Sequence, residues 1–216
     1  MSLTMILRRT AAVALLVALA PASAMAQNAT GDALLARLQT RYRSLSGLRA
    51  QFTQTMQAEG AAAQTFSGTL TAQGNRYRVE AGPQVFVTDG RTTWMYDRRR
   101  NQVVVNRYVA NQTAFSPTTF FGSAGQRFRV TNVRSTGSGA AQVHTLTLAP
   151  RSQSEMFQTV TLTMRNADNT VSRVEMQDAN GTAMTYELRN LQLNPRIPAS
   201  TFTFASPRGA EVVDLR

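Results

Sequence analysis

The segment LRAQFTQTM at residues 48–56 decides the fold class, because its apolar side chains recur at every second position. Leu48, Ala50 and Phe52 alternate with arginine, glutamine and threonine, which is the pattern of a β-strand with one buried face. Before Gly47 the spacing is different, since leucines and a tyrosine recur there at helical intervals. The sequence therefore predicts one amphipathic helix followed by β-strands.

The predicted helix has one apolar stripe, formed by Leu34, Leu35, Leu38, Tyr42 and Leu45. Thr30 or Asp32 is the expected N-cap, and Gly47 is expected to end the helix.

Alternation of the same kind continues downstream and is interrupted by turn residues. It predicts strands near residues 66–72, 77–79, 85–87, 92–96, 102–108, 127–133, 142–149, 158–165, 170–178 and 182–193, with a short strand at 202–204. Residues 113–121 break the alternation with Pro117 and clustered aromatics, which indicates a short helix or loop over the sheet. The predicted fold is mainly β: an open antiparallel β-barrel, built as a strongly curved sheet of about eleven strands and covered by short helices.

Residues 1–26 have the organisation of a signal peptide. The basic pair Arg8-Arg9 precedes a short apolar run from Thr10 to Ala20, and Ala24-Met25-Ala26 supplies a cleavage site. We expect residues 27–216 to form a single exported domain. The general secretory route and the twin-arginine route are both compatible with this start.

The composition is strongly basic and lacks cysteine, so packing alone must stabilise the exported domain. The formal net charge of +11 becomes +9 without Arg8 and Arg9, and every basic residue is arginine. A surplus of this size could attract nucleic acid, anionic lipid or an acidic partner. Most arginines alternate with apolar residues, as in residues 76–79, which is typical of the solvent face of a strand. The only run, Arg98-Arg99-Arg100, lies in a predicted turn.

No catalytic constellation is evident in the sequence. The single histidine, His144, lies within a predicted strand, and the twelve carboxylates are dispersed over turns. Gly122-Ser123-Ala124-Gly125 is one residue short of a nucleophile elbow and does not follow a strand. The sequence therefore predicts neither an enzyme nor a bound metal or cofactor.

Aromatic and methionine residues are numerous on the predicted strands, and two interpretations of them stay open. They are either a packed core or the wall of a cavity that holds a flexible apolar ligand, for which methionine is well suited.

Four stretches together resemble the periplasmic outer-membrane lipoprotein carrier family, LolA. They are YRSLSGLRAQFTQ at 42–54, VTDGRTTWMYD at 87–97, residues 190–195, and FTF at 202–204 with PRGAEVVD at 207–214. No single stretch is specific, and their order and spacing carry the resemblance.

The resemblance implies an open β-barrel with helices as a lid over a hydrophobic cavity. Such a carrier is a periplasmic monomer that binds no nucleic acid. It accepts triacylated lipoproteins from an inner-membrane ABC complex and passes them to an outer-membrane receptor. Together with the aromatic and methionine pattern, the resemblance gives these predicted cavity residues: Leu38, Tyr42, Leu45, Tyr77, Val79, Trp94, Tyr96, Phe115, Phe120, Phe121, Met164, Met176 and Tyr186. We expect Tyr42, Tyr77, Trp94 and Phe120 to share one accessible cavity.

A basic docking surface for an acidic membrane complex or receptor is predicted from five arginines: Arg76, Arg78, Arg98, Arg99 and Arg100. The alternative is that these residues serve only solubility.

The sequence departs from the family pattern at two places. Family members often carry an Arg-Pro pair, whose arginine helps to keep the lid closed, where this chain has Gln73-Gly74-Asn75. Val79 stands where a tryptophan is common. We therefore expect another residue to hold the lid, or a more open free state.

Three other functions remain as alternatives. The first is a carrier of another envelope lipid, such as a glycolipid or a hopanoid, on the same fold. The second is a regulatory domain that senses mislocalised lipoproteins, and the third is a secreted enzyme.

Overall fold

A computed structural model describes residues 22–109 and 117–216, with side chains from residue 30 onward. The helices are α1 (Ala22–Arg43), α2 (Pro117–Gly122) and α3 (Ala124–Arg127). The strands are β1 (Leu48–Gln57), β2 (Gln64–Gln73), β3 (Arg76–Ala81), β4 (Gln84–Thr88), β5 (Thr92–Asp97), β6 (Gln102–Arg107), β7 (Phe128–Thr136), β8 (Val143–Pro150), β9 (Phe157–Arg165), β10 (Val171–Asp178), β11 (Ala183–Leu193) and β12 (Glu211–Asp214). None of the helices in these ranges is long and apolar enough to cross a bilayer.

These strands form one sheet in the order β12-β6-β5-β4-β3-β2-β1-β11-β10-β9-β8-β7. Two antiparallel meanders, β1–β6 and β7–β11, are joined where β1 pairs with β11, so that Leu48 lies opposite Leu193. The strand β12 runs parallel to β6. The predicted mainly β fold, a curved open sheet with few helices, is confirmed.

Three local predictions are wrong. The helix α1 ends at Arg43, so Gly47 does not end it and Leu45 lies beyond it. The helix α1 begins at Ala22, so neither Thr30 nor Asp32 is its N-cap. Residues 202–204 are not a strand, because Ala199–Phe202 forms a 3-10 turn directly after Pro198. The last strand lies at Glu211–Asp214 instead.

The main apolar core lies between α1 and the concave face of the sheet. Leu38 of α1 and Leu146, Leu162 and Met164 of β8 and β9 are fully buried in it. The helix approaches β7 closely at Gly31, where an added Cβ would lie 2.6 Å from Val130 Cγ1. This half of the concave face is therefore covered by α1.

A smaller apolar cluster lies on the convex face of β4–β6. Val85, Val87, Val103 and Val105 are buried there, as is Phe202 of the C-terminal segment. This segment continues past Tyr96, whose ring centroid lies 5.8 Å from that of Phe204, and then forms β12 along the edge of β6. The C-terminal segment thus covers the convex face and the edge strand together.

Candidate functional site

The concave face carries apolar side chains in rows that cross several strands. Met56 of β1, Met184 of β11 and Met176 of β10 are direct cross-strand neighbours, and Val160 of β9 continues the row. A parallel row contains Tyr186, Val174 and Leu162. Because methionine side chains adapt to irregular shapes, this wall suits a flexible apolar ligand.

One half of this face is not fully covered by the helices. We call it the open apolar wall, and it consists of Met56, Phe66, Val79, Phe86, Tyr186 and Leu188, all of them partly accessible. Phe66 is 37% exposed, and the Tyr186 ring lies 6.5 Å from the buried Phe52 ring. An apolar ligand can therefore contact the sheet here without first displacing α1.

The other half ends in a cluster of aromatic rings, two of which belong to α2. The centroid distances are 4.7 Å from Tyr42 to Phe121, 5.4 Å from Phe121 to Phe120 and 5.8 Å from Phe120 to Phe128. Of these rings Phe120 is the most accessible, with 6% of its surface exposed. Deeper access for a ligand therefore requires α2 to move.

The environment of the buried tyrosines is strongly apolar. Burial raises the pKa of Tyr42 to about 12, although its hydroxyl accepts a hydrogen bond from the Val171 N–H at 3.2 Å. Burial also raises the pKa of Tyr77 to about 12, and the neighbouring Tyr108 adds to this shift. Both phenols are therefore neutral at any physiological pH.

The short helix α2 is held by polar contacts at both ends. Arg43 Nε of α1 donates a hydrogen bond to the Gly122 carbonyl oxygen at 2.6 Å. The Thr118 hydroxyl donates to the Gly74 carbonyl at 3.5 Å, a longer contact. Gly74 lies in the stretch that replaces the Arg-Pro pair, and among the described residues it contacts α2 through its backbone carbonyl.

The following helix, α3, is anchored by Arg127. Its guanidinium forms an ion pair with Glu155 and lies over the rings of Phe120 and Phe128, at 5.3 and 5.4 Å from their centroids.

Most of the predicted cavity residues come together in the structure. Leu38, Tyr42, Tyr77, Phe120, Phe121, Met164 and Met176 belong to one buried cluster, and Leu45, Val79 and Tyr186 pack against it. Phe115 lies outside the described residues. Whether these side chains contact a lipid stays a prediction.

Trp94 and Tyr96 do not belong to this group, and their placement in the same cavity as Tyr77 is wrong. Tyr77 pairs with Thr88, which pairs with Thr93, so Thr93 is the β5 residue on the concave face. Trp94 and Tyr96, at the alternate positions, lie on the convex face. Alternation in residues 92–97 does not reveal which face is which, since both faces of β5 are covered.

Several residues of the open apolar wall were not predicted as site residues: Met56, Phe66, Phe86 and Leu188. Each occupies an apolar position of an alternating strand. Only the cross-strand register shows that they share one surface, and the sequence does not give that register.

Most of the five arginines of the predicted basic docking surface make contacts within the protein. Arg78 and Arg98 both bind Glu80 at 2.7 Å, and the guanidinium of Arg76 lies 5.1 Å from the Phe202 ring centroid. Arg99 and Arg100 remain exposed in the β5–β6 turn. A docking role for these arginines stays a prediction.

The other polar residues considered from the sequence have structural partners. His144 Nδ1 lies 2.8 Å from the Ser135 hydroxyl, and Nε2 lies 3.4 Å from the Asn166 side-chain oxygen. The Ser123 hydroxyl donates to the Thr119 carbonyl at 2.8 Å. Within residues 22–109 and 117–216, no group of three or more metal-ligating side chains comes together.

Comparison with known proteins connects this chain to one family. The family model described as outer membrane lipoprotein carrier protein LolA matches residues 43–205. An outer-membrane lipoprotein carrier protein of Bordetella avium is 32% identical over 214 residues, which cover 97% of this chain and 98% of the relative. One of Alcanivorax borkumensis is 31% identical over 211 residues, covering 92% and 96%.

A solved structure supports the fold. An uncharacterized conserved protein from Thermus thermophilus superposes with a TM-score of 0.54 at 18% identity, covering 86% of this chain and 99% of that one. The family model spans most of the sequence, and the two relatives align over nearly all of it. The chain therefore belongs to the outer membrane lipoprotein carrier family, LolA.

Proposed function

We propose that this protein is a periplasmic lipoprotein carrier that holds the acyl chains of its cargo against the open apolar wall. The observation that carries this proposal is the continuous apolar concave face, which is partly accessible from β4 to β11. The cargo is a triacylated lipoprotein, taken from an inner-membrane ABC complex and delivered to an outer-membrane receptor. This role needs binding and release and no bond-breaking step, so the protein is not an enzyme.

The strength of binding follows from the buried area. Each acyl CH₂ group removed from water contributes about 0.8 kcal/mol, so one chain offers on the order of ten kcal/mol as an upper bound. Displacing α2 and ordering the ligand offset part of this gain. The remaining affinity is low enough for transfer to a receptor that binds the same chain more tightly.

Arg43 is the residue that we propose holds the lid in this chain. It links the end of α1 to the end of α2, where the carbonyl oxygens of a short helix lack partners within the helix. Opening then requires the loss of one charge-assisted hydrogen bond and of the ring contacts of Phe120 and Phe121. Arg43 thereby replaces the arginine of the family's Arg-Pro pair.

Export requires the signal peptide predicted for residues 1–26, of which residues 1–21 lie outside the described part of the chain. Because α1 begins at Ala22, cleavage after Ala26 would shorten this helix and leave its buried stripe from Leu34 onward intact.

A pair of adjacent substitutions tests the acyl-chain site. Phe66→Glu places a carboxylate on the open apolar wall, whereas Ser67→Glu places the same charge on the opposite face of β2. Phe66 is already 37% exposed, so we expect both variants to fold. We expect Phe66→Glu to lower two quantities about tenfold: the affinity for a synthetic triacylated lipopeptide and the release of lipoproteins from spheroplasts. The reason is that ligand binding would remove the new carboxylate from water. Ser67→Glu should match the unmodified protein.

Equal activity of the two variants would remove the open apolar wall from the binding site. Native mass spectrometry of protein isolated from the periplasm separates the remaining alternatives, because bound glycolipid or hopanoid in place of lipoprotein would identify another cargo.

A further inference from the structure

Charge is distributed unevenly between the two ends of the sheet. The end of the sheet next to the last residues of α1 is called the helix end. The opposite end, which carries the β1–β2 and β5–β6 turns, is called the hairpin end. The helix end comprises residues 37–43, 74–76, 89–91, 107, 165–170 and 214–216, which contain eight arginines and three aspartates. The hairpin end comprises residues 57–64, 81–84, 97–102, 127, 150–157, 178–183 and 208–211, with six arginines and five carboxylates. The positive charge is therefore concentrated at the helix end, away from the predicted run at Arg98–Arg100.

The helix end contains an open pocket of about 580 Å³, lined by Arg91, Thr92, Arg107, Asp214 and Arg216. Strand pairing builds this pocket, because Thr92 lies opposite Arg107 and β12 runs beside β6. Three arginines and one aspartate thus converge where the β5, β6 and β12 strand ends meet.

One carboxylate already occupies part of the pocket. Arg216 donates to both oxygens of Asp214, with Nε at 2.9 Å from Oδ1 and the terminal nitrogen at 2.5 Å from Oδ2. These hydrogen bonds lower the pKa of Asp214 to about 2. Arg216 thus donates to the Asp214 carboxylate in the two-pronged geometry that arginine favours.

The other two guanidiniums are free to bind an external anion. Arg91 and Arg107 are exposed, and neither side chain has a hydrogen bond or ion pair with any residue that the structure describes. Each retains its full set of donors.

We propose that this pocket is a docking site for an acidic polypeptide segment of a partner protein, with two neighbouring carboxylates bound by Arg91 and Arg107. The pocket is larger than a single anion needs and is open on one side, as an extended segment requires. A bilayer surface fits less well, because its phosphates form a flat layer, whereas Arg91 and Arg107 line a pocket that a narrow segment can enter. The pocket lies outside the open apolar wall, so this inference is independent of which lipid the protein carries.

Two double variants test the site at equal charge. Arg91→Gln with Arg107→Gln alters the pocket, and Arg99→Gln with Arg100→Gln removes the same charge from two exposed arginines at the hairpin end. The probe is a fluorescein-labelled hexaglutamate peptide, titrated by fluorescence anisotropy at low ionic strength, where surface charges are little screened. Two exposed ion pairs are expected to change affinity by about fivefold. The pocket variant should show this loss, and the hairpin-end variant should stay within about twofold of the unmodified protein.

Equal weakening in both variants would overturn the proposal, because net charge alone would then explain peptide binding. A second arm uses phosphatidylglycerol vesicles. If the pocket variant loses vesicle binding and keeps peptide binding, the occupant is a membrane surface and the acidic segment is excluded. Unchanged melting temperature and unchanged lipopeptide binding in both variants show that neither the fold nor the cargo site causes the difference.

Discussion

At the scale of single residues, Tyr42 connects the helix to the sheet at a place where strand pairing is incomplete. The ladder between β10 and β11 begins at Arg173, so it does not extend to Val171. The Tyr42 hydroxyl accepts the hydrogen bond of the Val171 N–H instead. A side chain of α1 thus supplies an acceptor that β11 does not provide.

Replacing this hydroxyl should be costly. Tyr42→Phe leaves the Val171 N–H without a partner in an apolar environment, which should lower the free energy of unfolding by about 1–3 kcal/mol. Urea denaturation followed by circular dichroism measures this loss. Tyr96→Phe is the matched control: it removes a hydrogen bond to Asn101 at 3.1 Å, in a half-buried site where water can take over. Similar losses in the two variants would contradict a special role for Tyr42.

The same tyrosine predicts how stability depends on pH. Tyr42 and Tyr77 have folded-state pKa values of about 12, above the value near 10 for an unfolded tyrosine. Their contribution to stability is therefore fully present below about pH 10 and is lost as the pH rises toward 12. At pH 11 each of these two tyrosines should lower the free energy of unfolding by on the order of 1 kcal/mol. Urea denaturation at pH 9 and pH 11 should show the loss. Tyr42→Phe should reduce this loss without abolishing it, because burial also raises the pKa values of Tyr77, Tyr108 and Tyr186. An equal loss in Tyr42→Phe would assign the effect to other groups.

At the scale of secondary-structure elements, α2 is a six-residue helix whose position depends on its anchors. Arg43→Gln removes the charge-assisted hydrogen bond to Gly122, so a larger fraction of molecules should have α2 displaced. Binding of an apolar fluorescent dye should rise about threefold, and thermal stability should change by less than about 1 kcal/mol. Arg49→Gln on the solvent face of β1 removes the same charge as a control. Dye binding that is equal in both variants would mean that Arg43 does not hold α2.

The sequence predicts where the strands lie better than it predicts which side chains of a strand face the core. Alternation located β1 and the strands up to β11, because each strand repeats a two-residue period that few other structures share. It failed at β5, where the C-terminal segment buries the second face and both Thr93 and Trp94 are shielded to some degree. It failed again at residues 202–204, whose apolar alternation reflects Phe202 packing on the convex face and not a ladder with another strand.

At the scale of the whole molecule, the candidate site was only partly predictable for a related reason. The sequence predicts Tyr42, Tyr77 and Met176 as apolar residues of one face, and the structure brings them together. Met56 and Met184, although they lie side by side, are far apart in the sequence, and only the pairing of β1 with β11 makes them neighbours. The position of the basic surface is also not predictable, because the sequence shows the run Arg98-Arg99-Arg100 but not the ion pairs of Arg98 with Glu80 and of Arg100 with Asp97.

The seam between β1 and β11 has a consequence for how the chain acquires its structure after export. Each meander consists of hairpins that close over short distances, whereas the seam must join Leu48 to Leu193. Closing so long a loop is entropically costly and slows folding. The chain emerges from the inner membrane with its amino terminus first. The second edge of β1 therefore stays unpaired until β11, near the end of the sequence, has also emerged. During that time its unpaired edge and the apolar face behind it are open to aggregation. Refolding should therefore show fast formation of hairpins and a slower phase for the seam, with Phe52→Ala slowing mainly the latter.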